Sequence, residues 1–225
     1  MESLLYELED VRFQYTLGKV RVDALRGVSL TIAKGDVLCL TGPSGSGKTT
    51  LLNLLGLIEP LQGGTIRFEG KALSQLDERA KNKLRRFDIG YVFQQFHLIP
   101  VLSAEENVEF FLRRHPLSAS ERRARVEQAL RAVQLWEQRR QRPLEMSGGQ
   151  RQRVAIARAL AKQPRVILAD EPTASLDQET GRSILELLLK LQAESNVTVV
   201  VSSHDPMVHT HIPSRLVLRD GAVAA

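Results

Sequence analysis

The chain has 225 residues, of which 43% are hydrophobic and 25% are charged, and its formal net charge is +5. These values are typical of a globular protein and exclude a disordered chain. No apolar run of about 18 residues occurs, which excludes a membrane-spanning helix. Residues 1–7 lack the basic region of a secretory signal, and the single cysteine, Cys39, is expected to be a buried core residue. Together these features favour the cytoplasm.

The first part of the chain is rich in short apolar segments that alternate with turns. We expect strands at residues 11–15, 20–25, 28–32, 37–40 and 65–68. The strand at 37–40 leads into a glycine-rich loop, and a helix is expected to follow that loop. A polar helix at 77–86 and an apolar strand at 89–93 complete this part, which predicts a strand-rich layer beside the loop.

Beyond residue 96 the apolar residues recur at helical spacing. Helices are expected at 103–112, after the Ser118 and Glu121 capping pair, from Gly148 through Leu160, and at 178–193. Continuous apolar strands at 166–169 and 197–201 are typical of the middle of a parallel sheet. The alternation predicts an α/β P-loop core, with residues 96–162 inserted as a helical block.

The glycine-rich loop at residues 42–49, GPSGSGKT, fits the pattern G-x-x-x-x-G-K-[ST] at every fixed position. Gly42, Gly45 and Gly47 allow a backbone that curls its N–H groups around a polyphosphate. Lys48 would place a positive charge near the β- and γ-phosphates, and Thr49 would offer a hydroxyl to Mg²⁺. A glycine-rich turn that matches by chance is the alternative.

Two further groups of residues predict phosphate chemistry. Asp170 and Glu171 directly follow an apolar strand, where an acid would hold Mg²⁺ and its neighbour would polarise an attacking water. Ser147 and two glycines open a helix, which makes a second anion-binding N-terminus. One nucleotide needs only one cradle, so we expect two chains, each of which lends its second element to the other.

In their order along the chain these segments resemble the ABC-type ATPase family. The residues that carry the resemblance are 42–49, Gln94, 146–150, 166–171, 175–177 and His204. The resemblance implies one ABC ATPase domain over residues 1–225, with a RecA-like P-loop core (1–95 and 163–225), an antiparallel β-subdomain and a helical subdomain (about 96–162). It also implies that two copies sandwich two ATP molecules head to tail with Mg²⁺.

The same resemblance assigns roles to single residues. Tyr15 would stack on adenine, or else be a core tyrosine beside Phe13. Met146 replaces the usual leucine of the signature, a swap that conserves volume. The catalytic residues would be Glu171, Gln94 and the switch residue His204. Mg²⁺ would be held by Thr49, Gln94 and Asp170. ATP would be bound by Tyr15, Gly42, Pro43, Ser44, Gly45, Ser46, Gly47, Lys48, Thr49 and Thr50. The partner's ATP would meet Ser147, Gly148, Gly149, Gln150 and Asp177.

A finer resemblance involves residues 89–100, IGYVFQQFHLIP, and the segments on either side of them. This stretch is similar to the branch that serves MacB-type efflux pumps and LolCDE-type lipoprotein release systems. The similarity implies a separate integral membrane permease as partner, on the cytoplasmic face of the inner (plasma) membrane. A groove between Gln94 and the arginine-rich helices would receive a short helix of that permease.

Residues 112–142 contain nine arginines against three glutamates. Such a basic segment is compatible with nucleic acid, acidic lipid, an acidic partner or a merely solvated helix face. The alternative function is therefore a soluble ABC ATPase that acts on nucleic acid or ribosomes, although no nucleic acid is expected; a P-loop kinase is the third. The remaining histidines, 97, 115, 209 and 211, are expected to lie on the surface.

Overall fold

The computed structural model describes residues 3–224. The strands are β1 (Leu4–Leu17), β2 (Val20–Ala33), β3 (Val37–Thr41), β4 (Gly63–Phe68), β5 (Lys71–Ala72), β6 (Ile89–Val92), β7 (Val166–Asp170), β8 (Thr198–Ser202), β9 (Arg215–Arg219) and β10 (Ala222–Val223). The α-helices are α1 (Lys48–Leu55), α2 (Glu78–Phe87), α3 (Ala104–Leu112), α4 (Ala119–Ala132), α5 (Gly148–Leu160), α6 (Gln178–Ser195) and α7 (Pro206–His211). Within residues 3–224, none of the helices has the length and apolar character needed to cross a membrane.

The strands form two sheets. One is antiparallel, in the order β2-β1-β4-β5, and the other has the order β10-β9-β3-β8-β7-β6. In the second sheet β3, β6, β7, β8 and β9 run parallel, and β10 is antiparallel to β9. The predicted α/β class with a separate antiparallel layer is confirmed. Because β3, β7 and β8 are parallel neighbours, the loops that follow them leave the sheet at the same edge.

Alternate residues of the central strands point into two different hydrophobic clusters. In β7, Val166 and Leu168 pack with α1 and the antiparallel sheet, whereas Ile167 and Ala169 pack with α3, α4, α5 and α6. All five residues of β7 and of β8 are buried, as expected for central parallel strands. Cys39 belongs to the second cluster, and burial raises the pKa of its thiol to about 12. The division into core and helical subdomain at residues 96 and 162 stays a prediction.

The second strand differs from the sequence expectation. Residues 20–25 and 28–32 form one continuous strand, β2, rather than two. Gly27 has a φ of +99°, and a Cβ at this position would lie 2.6 Å from the Asp10 carboxylate. The pairing of β1 with β2 shifts register nearby, between Val11 and Arg12. The glycine therefore produces a bulge that bends the strand without ending it.

The expectation that His115 lies on the surface is wrong. Its side chain is 7% exposed, and its ring packs edge-on against Phe87 at 4.6 Å. Burial lowers the pKa of this imidazole. The segment after α3 folds back onto α2, where Arg86 donates to the carbonyl of Arg114 at 3.4 Å. His97 is exposed as expected, whereas the other two histidines are half-buried.

Tyr6 joins the antiparallel sheet to the helix that follows the glycine loop. It is fully buried, its ring packs edge-on against Phe68 at 5.0 Å, and its hydroxyl donates to the Leu55 carbonyl at 2.9 Å. We predict that Tyr6→Phe lowers the free energy of unfolding by about 1–2 kcal/mol, because a buried carbonyl loses its donor. Urea denaturation at constant m-value measures this change.

Tyr15→Phe is the matched control. The Tyr15 hydroxyl lies 3.4 Å from Thr50 Oγ1 in a half-buried position, where water can replace the contact. The control is expected to lose less than about 0.5 kcal/mol. Equal losses in the two variants would contradict the assignment.

Candidate functional site

The glycine loop connects β3 to α1 with a backbone that only glycine accommodates at two positions. Gly42 has a φ of +139°, and a Cβ there would lie 2.0 Å from the Leu218 carbonyl oxygen. Gly47 has a φ of +103°, and its Cβ would lie 2.5 Å from the Ala24 carbonyl oxygen. The loop is therefore wedged between β9 and β2, and its course is determined by packing as well as by its own sequence.

The loop has the features of a polyphosphate site. The N–H groups at the start of α1 lack partners within the helix and point out of its N-terminus. The Ser46 hydroxyl is buried, and within residues 3–224 it has no hydrogen-bond partner. A Cβ on Gly45 would meet nothing within 4 Å, so the backbone here borders open space. These unused donors around an open cradle fit an anion with several oxygens.

Lys48 supplies the positive charge of the cradle. Its ammonium group donates to the carbonyls of Gly42 at 2.8 Å and Pro43 at 3.0 Å, and lies 3.9 Å from Glu171 Oε1. The side chain is nearly buried, so its charge is directed into the loop. The backbone carbonyls and the glutamate carboxylate together balance this charge.

The acid at the end of β7 is held by two hydroxyl groups. Asp170 Oδ1 accepts from Thr49 Oγ1 at 3.0 Å and from Ser202 Oγ at 2.6 Å. Gln94 follows β6 and borders the same cleft. The donor set is therefore a hydroxyl, a carboxylate and an amide carbonyl, which are the hard oxygen ligands that suit Mg²⁺. The structure thus joins Thr49 to Asp170 directly and places Gln94 on the cleft that Thr49 also lines.

Glu171 is paired with His204 across the loops that follow β7 and β8. Glu171 Oε1 lies 2.9 Å from His204 Nδ1. The glutamate has a left-handed backbone, with φ +44°, and its N–H donates to the carbonyl and hydroxyl oxygens of Ser202. A non-glycine residue in this conformation is strained and persists only where its surroundings hold it. Ser202 provides that support from the neighbouring strand.

The cleft around these groups has a volume of about 430 Å³. Tyr15 borders it, and its ring also packs edge-on against Phe13 at 4.9 Å, while its role in adenine stacking stays a prediction. Of the residues that the resemblance assigned, those lining the cleft are Tyr15, Ser44, Gly45, Gly47, Lys48, Thr49, Thr50, Gln94, Glu171 and His204.

Residues 147–150 lie outside this cleft. Ser147 is exposed at the N-terminus of α5. Its hydroxyl accepts from the Gln150 N–H, and the Gln150 side-chain carbonyl accepts from the Ser147 N–H. A Cβ on Gly149 would lie 2.4 Å from Thr180 Cγ2, so α5 and α6 approach closely here. The second phosphate element is therefore a well-capped helix tip that is separate from the chain's own cradle.

Asp177 caps α6. The Thr180 N–H donates to its carboxylate at 3.0 Å and holds the pKa of Asp177 below its usual value. The predicted role of Asp177 in meeting the partner's ATP stays a prediction. Its capping of α6 is a second role, which the sequence analysis did not consider.

Ser202 is the site residue that the sequence analysis missed. It is fully buried, and it supports both the Asp170 carboxylate and the Glu171 backbone. The available signal was a serine at the end of an apolar strand, on the strand that pairs with β7. Only the register shows the contact, because Asp170 lies directly opposite Ser202.

Comparison with known proteins places these observations in context. A family model described as ABC transporter matches residues 25–174. The ABC transporter ATP-binding protein MJ0796 of Methanocaldococcus jannaschii is 44% identical over 223 residues, which cover 97% of this chain and 95% of that protein. The macrolide export ATP-binding/permease protein MacB of Escherichia coli K12 is 39% identical, over 97% of this chain and 34% of MacB. A dimeric, post-hydrolysis structure of MJ0796 bound to ADP and Pi superimposes with a TM-score of 0.89 at 42% identity, over 98% and 97% of the two chains.

We predict that Ser202→Ala weakens the site without removing a proposed ligand. Asp170 loses its 2.6 Å donor, and Glu171 loses one of two acceptors for its N–H. Loss of a partner that orients a metal ligand typically costs about 10–100-fold in metal affinity or activity. The half-activating Mg²⁺ concentration for ATP hydrolysis is therefore expected to rise at least about tenfold.

Ser203→Ala is the control, because the Ser203 hydroxyl accepts from the Asp205 N–H and, among residues 3–224, makes no hydrogen bond with Asp170 or Glu171. It is expected to change the half-activating Mg²⁺ concentration by less than about twofold. An unchanged Mg²⁺ requirement in Ser202→Ala would remove Ser202 from the site.

Proposed function

We propose, from the premise that this chain belongs to the ABC transporter family and is an ATPase, that two copies close head to tail around two ATP molecules. ATP binding would close the dimer, and hydrolysis would open it again. The dimer would drive a separate integral membrane permease. The observation that carries the proposal is the separation of the two phosphate elements, since Ser147 is exposed and lies outside the cleft of its own chain. The dimeric state of MJ0796 supports the same arrangement.

The charge pattern in the cleft supports an exchange between glutamate and phosphate. Lys48 and His204 both contact Glu171 Oε1, so in this structure the glutamate carboxylate takes the place proposed for a phosphate. A γ-phosphate that binds these two side chains would release the carboxylate. The freed Glu171 would then accept a proton from the attacking water.

Thr49, Asp170 and Gln94 would hold Mg²⁺, which would neutralise negative charge on the phosphates. Tyr15 would carry the adenine at the edge of the cleft. From the partner, Ser147 and the N–H groups of α5 would meet the γ-phosphate, because this helix tip is exposed and its N-terminus favours an anion. Asp177 would link the two sites.

A groove beside Gln94 has the properties of a docking site for the permease. It has a volume of about 240 Å³ and lies between the end of α1, β6 and α3, where Tyr91, Phe93 and Phe111 line it. Ile58, which also lines the groove, is 47% exposed, and Val101, in the loop that follows Gln94, is 71% exposed. Large exposed apolar groups are typical of interaction sites. We propose that a short helix of the permease binds here.

The permease is proposed to be of the MacB or LolCDE type, because the matched part of MacB is an ATP-binding segment joined to a permease in one protein. The chain would then lie at the cytoplasmic face of the inner membrane, attached through that permease.

The arginine-rich segment does not favour the nucleic-acid alternative. Arg122 pairs with Glu109 at 2.7 Å, and Arg131 pairs with Glu127 at 2.7 Å. Arg139 stacks over the Trp136 ring at 4.4 Å. Three of the segment's nine arginines are therefore engaged within the chain, and no nucleic-acid partner is proposed.

We predict that Glu171→Gln nearly abolishes ATP turnover, by at least about 100-fold, because an amide cannot accept the proton of the attacking water. ATP binding should persist, since Lys48 and the glycine loop are unchanged. Steady-state phosphate release measures turnover, and fluorescent-ATP titration measures binding. Size-exclusion chromatography with ATP should show the variant as a dimer.

Glu194→Gln is the control, because this exposed glutamate of α6 pairs with Lys190 on the surface. Normal turnover in Glu171→Gln would refute the assigned role. A strictly monomeric protein with full turnover would refute the dimer.

We predict that Val101→Cys, in the loop that follows Gln94, can be crosslinked to the permease in native membranes. Cys39 is buried and will not compete. Mass spectrometry should identify a multi-spanning membrane protein in the adduct, and adding Phe111→Asp should abolish the adduct. Val20→Cys, which is 61% exposed in the antiparallel layer, is the control and should give no such adduct. The docking proposal fails if Val101→Cys never reaches a membrane protein.

A further inference from the structure

The loop that presents Gln94 to the cleft is held by side chains. It runs from the end of β6 at Val92 to the start of α3 at Ala104, and it belongs to neither sheet. Asn107 holds the second half of the loop: its amide donates to the carbonyls of Ile99, Leu102 and Ser103, and its carbonyl accepts from the Ile99 N–H. The first half, next to Gln94, depends on α5.

Arg158, in the last turn of α5, binds the backbone two and three residues after Gln94. One guanidinium nitrogen donates to the Phe96 carbonyl at 2.8 Å, and the other donates to the His97 carbonyl. We infer that Arg158 is a positioning residue that holds Gln94 at the nucleotide cleft. The inference deepens the proposed function and rests on it, because Gln94 matters only if the cleft holds Mg²⁺ and ATP.

The free-energy cost of burying the Arg158 charge argues against a side chain that merely fills space. Arg158 is 6% exposed, and burial lowers its pKa to about 10. Among residues 3–224 its guanidinium forms no salt bridge, and the carbonyl dipoles of Phe96 and His97 and the Phe111 ring, 5.5 Å away, accompany the charge. An apolar side chain of similar size would bury more cheaply. The residues it binds are also strained, since Phe96 and His97 have φ values of +60° and +48°.

The same helix carries the element proposed to meet the partner's ATP. Ser147 caps the N-terminus of α5, and at about 1.5 Å per residue Arg158 lies roughly 16 Å further along the helix axis. Arg151 makes a second contact with the loop, over the Phe96 ring at 5.4 Å. A rigid movement of α5 when Ser147 engages the partner's nucleotide would therefore move the segment beside Gln94. Arg158 thus links the chain's own half-site to the one it lends.

The test is a double-mutant cycle between Arg158→Met and Gln94→Ala. If Arg158 acts through Gln94, Arg158→Met alone should lower kcat about tenfold and raise the half-activating Mg²⁺ concentration, while KM for ATP changes less than about twofold. In the Gln94→Ala background it should lower kcat by less than about twofold, because the group that it positions is already gone. Equal effects in both backgrounds would overturn the inference.

Arg153→Met is the matched control. Arg153 lies on the same helix, is half-buried, and donates to the Val133 carbonyl and to Ser183 Oγ, away from the loop. Its effect on kcat should be small and should be the same with and without Gln94. A Mg²⁺ requirement that rises equally in Arg153→Met and Arg158→Met would also overturn the inference.

A second variant covers the case in which Arg158→Met does not fold. Arg158→Lys keeps the charge but reaches at most one of the two carbonyls well, so kcat should fall between the wild-type and Gln94→Ala values, with faster hydrogen exchange at residues 94–98. Wild-type kcat and exchange in Arg158→Lys would overturn the inference. The proposed function is tested separately. Full turnover in Gln94→Ala would remove Gln94 from the site. If Gln94→Ala is inactive but its effect and that of Arg158→Met are additive, only the role of Arg158 is refuted.

Discussion

One carboxylate oxygen, Asp170 Oδ1, joins the three parts of the site. It accepts from Thr49 at the start of α1 and from Ser202 at the end of β8, and it stands at the end of β7 itself. The spacing between the glycine loop and the acidic pair depends on this shared acceptor. A buried carboxylate is stable only when its oxygens are hydrogen-bonded, and the parallel register meets that need by placing Ser202 opposite Asp170.

Two kinds of charge compensation distinguish the cleft from the helix behind it. In the cleft, Lys48 and His204 share the Glu171 carboxylate, a group that phosphate oxygens can replace. Behind it, Arg158 and Lys162 are balanced by backbone carbonyls, which no ligand displaces. The first network can therefore change with each nucleotide, whereas the second keeps α5 tied to its neighbours throughout. This contrast supports the inference that Arg158 couples the loop beside Gln94 to the helix.

Sequence patterns predicted the features that depend on neighbouring residues. The glycine loop, the apolar strands at 166–169 and 197–201 and the helix caps follow from local spacing, and the structure confirms the strands and caps. The errors involve distant contacts. His115 is buried because the segment after α3 folds onto α2. The sequence also left open what the arginines of residues 112–142 contact, and the structure pairs Arg122 with Glu109, which lies outside that segment.

The sequence by itself determined the fold class, the order of the elements and the chemical types of the site residues, since each is encoded in a pattern a few residues long. Only the tertiary structure decided which groups meet. It set Ser202 against Asp170, paired Glu171 with His204, separated Ser147 from the cleft and seated Arg158 on the loop beside Gln94. These contacts join residues 32 to 62 positions apart. They arise from strand register and helix packing, which no local pattern records.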